Sequence, residues 1–188
     1  MIHISPASRD ALELWLSGQK ALNDASENTV TAYRTDLLGY LAFMTEHFGD
    51  ATGLAPLKKA SGSDMRAWMA HERGRGVSAR SLARSLSAVK SFYRWLAERE
   101  NFDPTAVLSV RSPKFQRKLP RPLAVDAAQA MIDTVELQTT KDWIAARDAA
   151  VVTLLYGCGL RISEALGLQG RDTPLGDVLR IMGKGGKE

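Results

Sequence analysis

The chain reads as mainly α: an N-terminal domain of four helices over residues 1–103, a basic proline-rich linker over 104–122, and the start of an α+β second domain over 123–188. Three observations carry that reading. Apolar residues recur every three or four positions in long runs, as one buried face of a helix demands. Serines with helix-capping chemistry stand ahead of two of those runs. Lysine and arginine are crowded into the middle third, where residues 58–121 hold fifteen basic and five acidic side chains, against three and seven before them and seven and nine after.

The first helix is short and apolar, over 11–22. Ser26 then precedes a long run through Val30, Tyr33, Leu37, Leu41, Met44 and Phe48, with a good cap and one apolar face. Met65, Trp68 and Met69 mark a third helix ending before Gly74 and Gly76. Ser78 opens a fourth, to about residue 100, with two faces. Leu82, Leu86, Val89, Tyr93 and Leu96 form the packing stripe, while Arg80, Arg84, Ser87, Ser91 and Arg94 line the opposite side, with Lys90 a further candidate. A basic stripe alone is often only a solvated face; inside a strongly basic segment it suits a polyanion, and double-stranded DNA in particular, because a helix fits the major groove and arginines reach phosphates. Asn28, Thr29 and Arg34 on the second helix are weaker candidates.

Helical periodicity fails between Asn101 and Pro122. Pro104, Pro113, Pro120 and Pro122 stiffen this stretch, and Arg111, Lys114, Arg117, Lys118 and Arg121 charge it, so it reads as a basic strap along a DNA backbone or as a flexible tether. Beyond it, Asp126 and Asp142 are placed to cap two helices. A Gly-x-Gly break ends the second of these before a short helix over 161–168, and β-branched 178–182 reads as the first strand of a hairpin with Lys184 at its tip. Arg161 offers a planar fork of five donors and Lys184 a mobile cation that can protonate a leaving oxygen, which together suit phosphoryl transfer. An ordinary Arg161–Glu164 surface pair and a Gly-Lys surface turn suit the same spacing.

Other classes are disfavoured. No apolar run approaches the ~20 residues that cross a bilayer, and the N-terminus lacks a secretory core, so a cytoplasmic protein without membrane contact is expected. Cys158 has no disulfide partner and reads as a small buried residue; His3, His47 and His71 have no metal-ligand spacing, and no cofactor is implied. A P-loop fails, since Ile181 stands where its first glycine belongs and Glu188 follows Gly186-Lys187.

The order of these segments resembles the tyrosine recombinase family, most closely its Xer type, with the XerC branch nearest. The matching residues are Tyr156, Gly157, Gly159, Leu160, Arg161, Ser163, Glu164 and 166–168, then Gly183, Lys184, Gly185, Lys187 and Glu188, with Glu27-Asn28-Thr29 and Tyr33 upstream. The resemblance implies a SAM-like core-binding domain that lays its second and fourth helices on DNA, followed by a catalytic domain in which Arg161 is the first catalytic arginine and Lys184 the catalytic lysine. It also implies a double-stranded recombination site as substrate and a second, XerD-like recombinase in a tetramer on DNA, as in chromosome dimer resolution. The family's H-x-x-R segment and late nucleophilic tyrosine have no counterpart before Glu188, so these 188 residues are expected to bind DNA without cleaving it. The second domain is expected to be less protected than the first. A helix-turn-helix regulator built on 65–73 and 78–100 is the rival reading.

Overall fold

The computed structural model describes residues 4–49, 53–116, 122–176 and 178–181, which fall in two compact units, Met1–Arg117 and Lys118–Glu188. In the first unit α1 (Pro6–Asn23), α2 (Glu27–His47), α4 (Gly62–Gly74) and α5 (Ala79–Glu100) are the four long helices, with the one-turn helices α3 (Ala55–Lys58) and α6 (Thr105–Leu108) beside them. Each long helix starts on a serine. The hydroxyls of Ser5, Ser26, Ser61 and Ser78 accept from the backbone N–H three residues on, which satisfies a donor that the helix itself leaves free. Ser61 and Asp64 complete a reciprocal capping box, the Asp64 carboxylate accepting from the Ser61 N–H at 2.8 Å. Asp24 and Asn101 close α1 and α5 in the left-handed region, at φ 47° and 50°.

The core forms where these stripes meet. Leu82, Leu86, Val89, Tyr93 and Leu96, the expected packing face of α5, are all buried, together with Phe92, and they pack with Leu12 and Trp15 of α1, Leu37, Tyr40 and Leu41 of α2, and Met65 and Trp68 of α4. The rings interlock edge to face: Trp15 meets Phe92 at 87° and Tyr40 meets Trp68 at 84°, an arrangement that sets the positive ring edge on the negative ring face. Two phenols are carried into this core. Tyr93 Oη donates to the Leu57 carbonyl at 3.1 Å, so its one proton is committed and Tyr40 Oη must be the donor in the 2.7 Å contact between the hydroxyls. Burial pushes both phenols well above their ordinary pKa, and they stay neutral.

The sequence reading gave residues 104–122 to the linker. The structure instead docks the beginning of that stretch on the first unit: Val107 of α6 is buried in the core, Leu108 and Val110 pack against it, and Lys90 Nζ donates to the Val110 carbonyl at 2.6 Å. One apolar turn, too short to show a period, escaped a reading based on periodicity.

The second unit holds α7 (Val125–Leu137), α8 (Asp142–Gly157), α9 (Ile162–Ala165) and a 3-10 turn at Gly170–Asp172. Four expectations change here. Asp126 and Asp142 are not caps: Ala124 and Lys141 hold those positions without a side-chain bond, and the two acids lie in the first turns, where they favour the positive helix end. The third helix stops at Ala165 rather than 168. Residues 178–181 form no strand, a ladder needing a second strand that the described residues do not supply. Cys158 is exposed at the end of α8, not buried. The Gly-x-Gly break is where the sequence put it, with Gly159 at φ 65°, a backbone that a side chain would strain.

Candidate nucleic-acid interface

α5 builds the main candidate face. Its 22 residues hold one side in the core, so the opposite side must face solvent, and Arg80, Arg84, Ser87 and Arg94 are exposed there, with Ser91 half-buried. Arg80 and Arg94 have no acidic partner among the described residues, and their charge stands free on the exposed side of α5.

The other cations of the candidate set are committed in different ways. Arg84 is bound to Asp36 of α2, with Nε 3.1 Å from Oδ2 and Nη2 2.9 Å from Oδ1, and Ser85 Oγ donates to the same Oδ1 at 2.8 Å. Arg34 forms a two-pronged pair with Glu13 of α1, Nη2 to Oε2 at 2.7 Å, and the Arg34 guanidinium holds the Glu13 carboxyl below its usual range. Lys90, tied to the Val110 carbonyl, has its pKa lowered by burial and then by Arg94, and it anchors the chain leaving α6 rather than standing on the basic face. Asn28 is exposed on the first turn of α2; Thr29 is half-buried, its hydroxyl 3.0 Å from that of the Ser26 cap. Arg111 and Lys114 are exposed, while Arg117, Lys118 and Lys184 lie outside the described residues.

In the second unit Arg161 is the N-cap of α9. Its N–H donates to Glu164 Oε2 at 2.8 Å and its Nη1 to Oε1 at 2.7 Å, and these bonds, the backbone one first, lower the Glu164 pKa. The surface pair with Glu164 therefore forms, yet the arginine side chain stays 75% exposed, and its Nε and Nη2 are not engaged by that acid. The pair orients the guanidinium without consuming it.

Sequence reasoning missed Asp36 and Ser85. The signal was present, since Asp36 follows Tyr33 by three and precedes Tyr40 by four, putting an acid at core-facing spacing. A buried acid needs a cation or donors, and α5 supplies both.

The first unit thus presents, on one face of a packed helical core, two exposed arginines without acidic partners among the described residues. Residues 12–100 match the phage integrase N-terminal SAM-like domain. The chain is 46% identical over 187 residues to the tyrosine recombinase XerC of Methylobacterium nodulans, covering 97% of this chain and 58% of that protein. It is 42% identical over 184 residues to XerC of Rhodospirillum centenum, with 97% and 54% covered, and 40% identical over 187 residues to XerC of Brucella suis, with 97% and 59% covered. The chain belongs to the tyrosine recombinase family. It spans a little over half the length of these curated relatives. No solved structure matches it significantly.

Proposed function

We propose that this chain is the DNA-gripping part, and the beginning of the catalytic part, of a site-specific tyrosine recombinase of the XerC kind, acting in the cytoplasm on a double-stranded recombination site. The observation that carries the reading is the exposed basic face of α5 on a domain matched by the integrase family. Arg80 and Arg94 neutralise phosphates, Asn28 and Thr29 bring the start of α2 to the same duplex, and Arg111, Lys114, Arg117 and Lys118 follow the backbone beyond α6.

In the second unit Arg161 takes the role of a catalytic arginine. As a tyrosine hydroxyl attacks the scissile phosphate, charge builds on the non-bridging oxygens, and a guanidinium already oriented by Glu164 stabilises it without reorganising. Lys184 takes the role of the acid that protonates the departing 5′-oxygen, with no metal required. A second, XerD-like recombinase completes a tetramer on the DNA.

The test uses the full-length protein on a nicked recombination site that traps covalent product. Arg161→Ala is expected to abolish the covalent adduct while keeping most site binding; an adduct at the wild-type level overturns the assignment. A helix-turn-helix regulator has no use for Arg161 and forms no adduct with either protein.

A further inference from the structure

The three arginines on the α5 face are not equivalent. Arg80 and Arg94 carry free charge on long, exposed side chains, the form that suits phosphates. Arg84 is fixed. Both donors of one edge of its guanidinium are taken by Asp36, whose side chain is 5% exposed, and Ser85 Oγ donates to the same carboxylate. Asp36 in turn is set on the packed side of α2 between Tyr33 and Tyr40.

Three consequences follow from that clamp. The Arg84 side chain remains 56% exposed, and Nη1 has no partner among the described residues, so the outer edge formed by Nη1 and the second hydrogen of Nη2 faces solvent. The Asp36 charge cancels that of Arg84, which makes this residue a poor long-range attractor of phosphate. The rotamer is already ordered, and a directional hydrogen bond therefore costs little further side-chain entropy on binding. A neutralised, oriented fork with two parallel donors suits a target with two fixed acceptors, and the edge of guanine in the major groove presents such a pair in O6 and N7.

We infer that Arg84 is the residue of α5 that reads a guanine in the major groove, with Asp36 as its positioning residue, whereas Arg80 and Arg94 contact phosphates. This rests on the proposal that the α5 face binds DNA.

The probe is a randomised duplex library, from which bound sequences are selected with the purified chain, with Arg84→Lys and with Asp36→Asn, each followed by a salt titration on the selected duplex. Arg84→Lys keeps the charge and loses the fork, so a guanine preference at one position should fall by about five- to 150-fold, the range of one bidentate contact, with the salt slope unchanged. Asp36→Asn should relax the same position while leaving binding to unselected DNA equal or tighter, because it frees the cation. Should Asp36→Asn unfold, as circular dichroism would show, Arg84→Lys decides alone, its side chain being more than half exposed. Retention of the guanine preference in Arg84→Lys, an even loss across all sequences, or a wild-type selection without any guanine preference overturns the inference while DNA binding stands. Failure of the wild-type chain to retain any duplex overturns the DNA-binding proposal itself.

Discussion

The two units spend their apolar residues in opposite ways. In the first, Trp15, Tyr40, Trp68, Phe92 and Tyr93 are all buried, and four capped helices close around them. In the second, the buried residues among those described are Ala128, Ala149 and Ala165, while Leu137, Trp143, Tyr156, Ile162 and Leu166 lie exposed. Since hydrophobic stabilisation scales with the apolar area removed from water, the first unit is expected to be the more stable of the two. A self-sufficient core gives α5 a rigid mount, and so its basic face can be preorganised.

Core truncation should separate the units most sharply. Leu86→Ala removes a buried side chain from the centre of the first core and should cost about 2–5 kcal/mol, read as a lowered denaturant midpoint for that unit. Leu137→Ala, at a residue 85% exposed, should stay within about 0.5 kcal/mol. Equal losses would break the comparison. Amide hydrogen exchange should give the same ranking, with α5 slower than α8; equal protection would contradict it.

The buried phenols allow a finer test. Tyr93→Phe strands the Tyr40 hydroxyl and takes one of its donors from the Leu57 carbonyl, which keeps the Ala60 N–H at 3.2 Å, and should cost about 1–3 kcal/mol. Tyr40→Phe leaves the Tyr93 bond to Leu57 intact and should cost less, about 0.5–1.5 kcal/mol. The reverse order, measured by urea denaturation, would overturn the donor assignment.

The smallest expected effect is on acid stability. Burial pushes the Asp64 pKa up, but hydrogen bonds from Ser61 and the nearby His47 outweigh it, so the pKa lies below the usual 3.8. A depressed carboxylate pKa stabilises the fold above the unfolded value, and that contribution is lost as pH falls through the folded one. Asp64→Asn should thus remove a step in stability below about pH 4; an unchanged acid limb would show that the capping box does not contribute.

Much of the first unit was legible because its signals are local and periodic. Ser26 and Ser78 are the caps that the sequence indicated, and the five-residue stripe of α5 is buried throughout. What escaped depends on contacts distant in sequence. Val107 belongs to the core only because α4 and α5 leave it a place, Arg84 is clamped by an acid 48 positions away, and Lys90 turns toward a carbonyl 20 positions on. Pattern can say which side of a helix is basic; it cannot say which cations are already taken. The second unit was harder because its short elements carry weak caps, and position alone made Asp126 and Asp142 look like caps when they are first-turn acids. For Arg161, the surface pair and the phosphate fork were posed as rivals, and the geometry allows both.

The central claim is that the unpaired cations of α5, and not the net charge of the chain, hold DNA. It is tested most directly by the salt dependence of duplex affinity, followed by fluorescence anisotropy, in two variants of equal charge loss. Arg80→Ala/Arg94→Ala should reduce the slope of log affinity against log salt by about two. Lys20→Ala/Lys58→Ala removes two cations already paired with Glu27 and Glu100 and should leave the slope unchanged. Equal slopes in the two variants would contradict the account.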